Sequence, residues 1–225
     1  MIYKWKNQDL KDYGIIVEKI PAITKAKKKI DIIQVEGRNG FLSIDTNTYE
    51  PFSVTLECHC NTDVADLDAI KEFLDGYGTL SFDGIRQYTA VIDNTIPFET
   101  ILPIFKKFQI NFLVNPIAED ITPTVEDITN VELLSIETYA PTFPILEITC
   151  SGDVSVTINN ETFYLYNTNG TYTLDCKNKI IIDSNELNAS GIMNGQFPVF
   201  KNGTNTIATS GTITLLKATY NKSYL

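Results

Sequence analysis

The 225 residues are enough for one large or two ordinary domains, and 43% hydrophobic with 20% charged residues is typical of a globular protein. The formal net charge of −10 argues against nucleic acid as a ligand, because an acidic surface repels phosphate. Residues 1–40 hold nine Lys or Arg and five Asp or Glu, whereas residues 41–225 hold nine and twenty-three. We therefore expect the two parts to attract each other, within one copy or between copies.

We expect no targeting signal at the start of the sequence. Residues 1–6 alternate between apolar and polar side chains and do not form the apolar stretch of a signal peptide. No segment of the sequence approaches the roughly 18 apolar residues of a membrane span. We expect the protein to be made and kept soluble.

The first predicted element is a β-hairpin. Residues 30–36 form its first strand, and residues 41–44 begin its second. The sequence between them is Gly37-Arg38-Asn39-Gly40, and Asn-Gly tolerates the positive φ angles that a two-residue primed turn requires. The sequence therefore predicts a tight hairpin with these residues at its tip.

The next strand is predicted at residues 52–60, where apolar and polar side chains alternate. It contains Cys58-His59-Cys60, which suggests a metal site at first sight. Strand alternation, however, turns His59 away from both thiols, and a structural zinc site needs four ligands with a wider Cys spacing. We predict buried thiols here and no metal.

A helix is predicted after this strand. Asp63 is expected to cap its first turn, with Asp66 beside the positive end of the dipole and Gly76 or Gly78 at the end. A helix of about three turns is marginal alone, so we expect it to lie on a sheet. Its buried face is predicted from apolar residues that recur every three or four positions: Val64, Leu67, Ile70, Phe73 and Leu74.

Three more strands are predicted in the first half. Residues 79–82 and 86–92 flank the turn signal Asp83-Gly84, and residues 108–114 alternate. The stretch from Pro116 to Asp127 is rich in proline and acidic residues, which is typical of a connector between domains. We therefore predict a first domain over residues 1–127, rich in β-structure and with one helix.

The second half, residues 128–225, is predicted to consist of strands without a helix. Turn signals separate short strands, as in a small antiparallel sandwich. The turns are predicted at Ser151–Asp153, Asn159-Asn160 and Asn167–Gly170. The strands are predicted at residues 144–150, 154–158, 162–166, 171–174, 180–183, 205–208 and 212–219.

The sequence contains no motif for catalysis or for a cofactor. It has one histidine and no Gly-x-Ser-x-Gly, His-Glu-x-x-His or phosphate-binding loop. Carboxylates are plentiful, but nothing marks one pair for acid–base hydrolysis. We expect no enzyme activity, no metal and no cofactor. A disulfide between Cys150 and Cys176 is disfavoured without a secretory signal but stays open.

Aromatic residues are a better sign of a binding function. Phe163, Tyr164, Tyr166 and Tyr172 fall on adjacent predicted strands. If Tyr164 and Tyr166 share an outward face, they can stack on a sugar. The alternative is that one face is core and the tyrosines line its rim with their hydroxyls in water.

Several short motifs follow one another along the whole chain. In the first half they are Asp12–Val17, Gly37–Gly40, Tyr49 with the strand from Phe52, the helix from Asp63, and Gly78–Leu80. In the second half they are Pro144–Ile148, Gly152–Val154, Gly195–Pro198 and Gly203–Ile207.

In the order and spacing of these motifs, the chain resembles the distal tail proteins of long-tailed phages and phage-like tail particles of Gram-positive bacteria. The resemblance implies a mainly β fold. An N-terminal β-sandwich or barrel-like domain with one α-helix would be followed by a C-terminal galectin-like antiparallel β-sandwich. The second half has no room for an inserted carbohydrate-binding module, so the resemblance assigns receptor binding to separate proteins.

The resemblance also implies a ring, usually of six copies, in the virion tail tip. The ring would be assembled in the bacterial host cytoplasm without a membrane. It would join the tail tube protein to the tail-tip hub protein and carry receptor-binding proteins. The first domain would build the ring and the second would project outward. DNA would pass through the lumen without specific binding, and we predict that lumen-facing side chains are neutral or acidic.

A closed ring requires a head-to-tail contact between copies. We hypothesise that the hairpin tip provides it through Gly37, Arg38, Asn39 and Gly40, with Arg38 paired to an acidic group of the next copy. An ordinary exposed hairpin is the alternative. Two other functions stay open: a carbohydrate-binding protein that recognises host cell-wall glycan through its C-terminal sandwich, and a glycan or peptidoglycan hydrolase.

Overall fold

The structure is a computed structural model that describes residues 2–22, 24–37, 39–61, 64–102 and 104–225, without the side chains of residues 64–66. It divides into two compact units. One reaches to Ala118 and includes Leu225, and the other spans Glu119–Tyr224. Both consist of antiparallel strands, and each has its own hydrophobic core. The predicted fold class, mainly β with one α-helix, is confirmed.

The first unit contains the helix α1 (Val64–Phe73) and a short 3₁₀ helix (Leu10–Tyr13). Its strands are β1 (Lys4–Trp5), β2 (Gln8–Asp9), β3 (Ile15–Val17), β4 (Lys28–Ile33), β5 (Leu42–Tyr49), β6 (Phe52–Asn61), β7 (Tyr77–Ser81), β8 (Arg86–Ile92), β9 (Glu99–Thr100) and β10 (Phe105–Asp120), whose last residues lie in the second unit.

The main sheet of this unit has the strand order β2-β1-β7-β8-β10-β6-β3, with β9 also paired to β10. The longest ladder joins β6 to β10, from Asn61 opposite Phe105 to Phe52 opposite Val114. Alternate residues of β6 are buried, as the sequence predicts for this strand: Val54, Leu56, Cys58 and Cys60. One face of the sheet therefore contributes to the core.

The predicted helix is confirmed as α1, and it packs into the same core. Its buried side chains include Leu67, Ile70 and Phe73. The Trp5 indole N–H donates to the carbonyl oxygen of Phe73 at 3.1 Å, which ties the end of the helix to β1. Gly76 follows with a φ of +76°, the left-handed geometry expected after a helix. The predicted cap, Asp63, lies outside the described residues.

The second unit has strands and one short 3₁₀ helix (Ser190–Ile192). Its strands are β11 (Thr124–Asp127), β12 (Leu133–Ile136), β13 (Ile145–Ile158), β14 (Glu161–Asp175), β15 (Ile180–Asp183), β16 (Met193–Gly195), β17 (Gly203–Tyr220) and β18 (Ser223–Tyr224). The order is β11-β17-β13-β14-β15, with β12 also on β17 and β16 also on β14, while β18 pairs with β10.

Three long strands replace the shorter ones that the sequence predicts. The predicted breaks at Ser151–Asp153, at Asn167–Gly170 and near residue 211 lie inside β13, β14 and β17, so these turns are wrong. The pairing register of β13 instead shifts near these positions, as at β-bulges. Gly152, Asn167 and Gly211 take positive φ angles there, so they have the same backbone requirement as a turn. The predicted Asn159-Asn160 turn is confirmed, because Ile158 pairs directly with Glu161.

The predicted connector at residues 116–127 is also wrong. Strand β10 continues to Asp120, and β11 covers Thr124–Asp127 and pairs with β17. The ladder between β10 and β6 ends at Val114, so the missing N–H of Pro116 breaks no bond in it. The predicted domain boundary follows β11, whereas the chain passes from the first compact unit to the second between Ala118 and Glu119.

Candidate functional site

The predicted hairpin is formed by β4 and β5, which make a two-stranded sheet separate from the main sheet of the first unit. Ile33 pairs with Leu42 at the end of the hairpin next to the connection between its strands, and Lys28 pairs with Tyr49 at the base. Both strands consist mostly of exposed residues. An isolated two-stranded hairpin is at best marginally stable in water, so this one needs additional contacts.

Apolar side chains lie on both faces of the hairpin. Cross-strand partners share a face, so Ile33, Leu42 and Ile44 lie on one side and Ile30 and Ile32 on the other. Their exposed fractions run from 41% for Leu42 to 62% for Ile32. An antiparallel ribbon in water normally keeps at least one face polar. The hairpin therefore presents apolar surface in two directions.

The tip of the hairpin is wider than the sequence predicts. The ladder ends at Ile33 and Leu42, and residues 34–37 and 39–41 lie outside both strands, so the predicted strand assignment of residues 34–36 and 41 is wrong. Gly37 and Gly40 have φ angles of +76° and +91°, which glycine adopts without steric strain. Arg38 lies outside the described residues. The interface role of Gly37, Arg38, Asn39 and Gly40 stays a prediction.

Two of the three consecutive lysines at the base of the hairpin, Lys27 and Lys28, are paired with carboxylates. Lys28 forms an ion pair with Asp45, and Lys27 Nζ lies 3.2 Å from a carboxylate oxygen of Glu50. The hydrogen bond from Lys28 lowers the pKa of Asp45, and the N–H of Asn47 lowers it further. Exposed pairs of this kind contribute little to stability. The two pairs offset part of the positive charge of this segment. Apolar contact is therefore a stronger reason than electrostatic attraction for the hairpin to bind another molecule.

The two predicted glycan-contact residues, Tyr164 and Tyr166, lie in β14 and point to the same side. Their rings are parallel to within 6°, with centroids 6.2 Å apart, and they are 43% and 40% exposed. Phe163 is fully buried, and Tyr172 packs against the core of the second unit. The strand thus has an apolar core side and a tyrosine-bearing outer side. Glycan contact itself stays a prediction.

Cys58 and Cys60 point into the core, and His59 points to the opposite face, as strand alternation predicts. The imidazole Nδ1 lies 3.0 Å from Glu18, whose carboxylate also pairs with Lys107 at 3.0 Å. All four cysteines are free, and burial raises the pKa of Cys58 and of Cys176 to about 12. In the described part of the chain, no three His, Cys, Asp or Glu side chains converge as a metal site.

A cleft of about 580 Å³ with a mixed polar and apolar lining lies beside this ion-pair network in the first unit. Glu18, Asn94 and Lys107 contribute to its lining. The hydrogen bond from Lys107 is the main reason why the pKa of Glu18 falls below its ordinary value, and the contact with His59 adds to it. Glu18 therefore stays ionised at neutral pH, unlike a general acid, whose pKa must be raised. The arrangement suits ion pairing better than proton transfer.

No protein-family model matches the sequence, and no curated protein is significantly similar to it. Among solved structures, a similar chain is the SPP1 Dit protein, whose crystal structure is described as a paradigm of the hub adsorption apparatus in phages that infect Gram-positive bacteria. The TM-score is 0.81 at 12% identity, and the match covers 100% of this chain and 99% of the Dit chain.

This chain has the Dit fold. The sequence resemblance to distal tail proteins is therefore confirmed at the level of the fold. In this chain the two candidate surfaces lie in different units, the hairpin in the first and the tyrosine pair in the second. Within its described residues, the chain has no helix with the length and apolar character needed to cross a bilayer.

Sequence reasoning concentrated on the hairpin tip and missed its apolar faces. The signal was present, because apolar residues occupy both alternating positions in β4, as Ile32 and Ile33 show. Such a pattern in a strand usually indicates burial on both sides. Here no part of the described chain covers both sides, and the same residues become candidates for contact with another molecule.

Proposed function

We propose that this chain is a structural protein of a phage tail tip, a distal tail protein that forms a ring and has no catalytic activity. The observation that carries the proposal is agreement with the Dit fold over the whole chain. Six copies join the tail tube protein to the tail-tip hub protein and carry receptor-binding proteins at the virion tail tip. The first unit, which reaches to Ala118, builds the ring, and the second, Glu119–Tyr224, projects outward.

The features of the hairpin favour a second copy of this chain as its binding partner. Its two strands have no neighbour on their outer edges in the described sheets, and an unpaired edge is a template for another strand. Its aliphatic side chains are exposed on both faces, so one contact surface alone does not cover them. A neighbouring copy that contacts the hairpin on several sides would cover both its unpaired strand edges and its two apolar faces.

The contact would be of the head-to-tail kind. The hairpin of one copy meets a different surface of the next copy, and repetition of that contact closes a ring. Burying a large aliphatic side chain fully stabilises by about 1.5–3 kcal/mol, and the five hairpin residues are about half buried already. Complete burial of all five would therefore add about 5 kcal/mol per contact, before the entropy lost on association is subtracted.

The decisive experiment measures the mass of the purified protein by light scattering. We expect the unaltered chain to form a ring-sized species. The substitution Ile32→Ser removes one apolar side chain from one hairpin face, and Ile33→Ser does so from the other. Each is expected to weaken the contact about tenfold, and together they should shift the protein to the monomer.

Leu187→Ser is the matched control, because Leu187 is a large aliphatic residue that is 63% exposed in the second unit, against 62% for Ile32. It should leave the mass unchanged. Shortening the loop by deletion of Gly37–Gly40 tests the tip itself. A ring that persists in the double variant and in the loop deletion would refute the role of the hairpin, and a monomer in the unaltered chain would refute the ring.

A further inference from the structure

The outer face of the second unit carries features that the proposed hairpin contact does not involve. We propose that this face, centred on Tyr164 and Tyr166, is a binding site for a neutral oligosaccharide. The site lies on the sandwich itself and needs no inserted binding module. It is independent of the hairpin, so it goes beyond the structural function proposed above.

The two tyrosines form a parallel aromatic ridge. Both rings are close to half exposed, and their planes differ by 6° over a centroid distance of 6.2 Å. Within the described chain, neither phenol hydroxyl makes a hydrogen bond to another residue. Each tyrosine thus presents an apolar ring and a free polar group, the combination that suits a ligand with both kinds of surface.

Small polar residues flank the ridge on the same face. Across the strands, Tyr164 is opposite Ser155 on one side and Asn194 on the other, and Ser155 is opposite Ser210. The next row brings Thr157 opposite Thr162, with their hydroxyls 2.7 Å apart. None of these side chains is charged. The surface beside the ridge therefore consists of short side chains with hydroxyl and amide groups.

A β-bulge holds the far end of the ridge in place. Asn167, directly after Tyr166, has a φ of +54°, and its N–H donates to the Asp153 carboxylate at 2.9 Å. The Thr168 hydroxyl donates to the carbonyl oxygen of Gly152 at 2.6 Å. These bonds tie β14 to β13 where the register shifts. Bulges often re-aim a side chain next to a functional site, and this one fixes the backbone beside Tyr166.

A neutral sugar matches this surface in chemistry. A pyranose ring has an apolar face of C–H groups, which stacks on an aromatic ring, and hydroxyls around its edge that need donors and acceptors. The ridge supplies two aromatic rings, and the flanking rows supply hydroxyls and the Asn194 amide. These rows carry no charge, and the exposed carboxylate of Asp153 at the end of the ridge repels an acidic ligand, so a neutral ligand is favoured. We expect the contact at one site to be weak and to gain strength when several copies act together.

The test uses the full chain and two neutral β-linked probes, cellotriose and triacetylchitotriose, with binding followed by saturation-transfer NMR and calorimetry. We expect binding of at least one probe by the unaltered protein. Tyr164→Ala and Tyr166→Ala should each weaken it at least about fivefold, since each removes one stacking ring. Tyr164→Phe should retain most of the binding, because it keeps the ring.

Tyr139→Ala is the matched control. Tyr139 is also an exposed tyrosine of the second unit, 60% exposed, and its ring stacks on Tyr224 at 5.8 Å. It should bind the probes as the unaltered protein does, and thermal melting of all variants should show that they fold. Absence of binding up to about 10 mM probe, or equal loss in the control, would overturn the site. A changed mass in Tyr164→Ala would also overturn it, because the face would then be a contact between copies.

Discussion

Among single residues, Asn205 shows how the second unit accommodates polar groups in its core. Its side chain is fully buried. The amide nitrogen donates to the carbonyl oxygens of Lys201 at 2.9 Å and Gly203 at 3.2 Å, and the amide oxygen accepts from the Lys201 N–H at 2.8 Å. The Asn159 amide donates to the same oxygen at 2.7 Å. One side chain therefore links the start of β17 to the β13–β14 turn.

We predict that Asn205→Leu lowers the free energy of unfolding by about 2–4 kcal/mol. The substitution removes the hydrogen bonds of a buried amide and leaves partly buried donors and acceptors unpaired, and each unpaired group costs about 1–3 kcal/mol unless water or relaxation compensates. Urea unfolding measures the change. Asn169→Leu, at an exposed position of β14, is the control and should stay within about 0.5 kcal/mol. A loss below about 1 kcal/mol for Asn205→Leu would mean that water or rearrangement replaces the network.

At the scale of elements, the β13–β14 hairpin depends on its two-residue turn. Asn159 and Asn160 have φ angles of +53° and +68°, which asparagine and glycine adopt more readily than other residues. Asn160 is exposed, and its neighbour Asn159 is the residue that bonds to Asn205. Substitution of Asn160 therefore tests the backbone geometry with little disturbance of the polar network.

We expect Asn160→Val to lower the free energy of unfolding by about 1–2 kcal/mol, because a β-branched residue is strained at positive φ. Asn160→Gly should leave stability unchanged or slightly higher, since glycine adopts this geometry without strain. Urea unfolding of the Asn160→Val and Asn160→Gly variants measures this difference in free energy. Equal stability of the two variants would show that the turn changes its type to suit the residue.

Periodicity explains which elements could be predicted from sequence. The helix α1 and the strand β6 each bury one face, so their apolar residues recur with the helical or the strand period. Bulges could not be told from turns, because Gly152 and Asn167 meet the same demand for positive φ that a turn makes. The residues of β11 look like a connector because only their pairing with β17 in the folded chain makes them a strand.

The candidate surfaces were predictable in part for a similar reason. The sequence left open whether Tyr164 and Tyr166 share an outward face, and in the structure strand alternation, a local property of the backbone, puts both rings on one side. The exposure of both hairpin faces was not predictable, because an apolar strand in sequence indicates burial without naming the partner that provides it. Residues that are buried only in a contact between molecules give the same apolar sequence pattern as residues of a core.

For the whole molecule, the charge distribution bears on how a ring would handle DNA. The chain has a formal net charge of −10, and the basic excess of its first forty residues is partly offset by the pairs of Lys27 with Glu50 and Lys28 with Asp45. Little concentrated positive charge is therefore left on the hairpin. A conduit for DNA works best when its wall does not adsorb phosphate, and an acidic protein meets that need.

We therefore predict that the assembled protein does not retain duplex DNA. Binding to a labelled duplex, followed by fluorescence anisotropy, should stay undetectable at micromolar protein even at about 50 mM salt, where phosphate contacts are strong. A lumen lined with lysine or arginine would give binding that weakens steeply as salt rises, because each phosphate contact releases a counterion. Such a salt-dependent signal would contradict a neutral or acidic lumen while leaving the ring itself intact, and an image of the ring would then identify the basic side chains responsible.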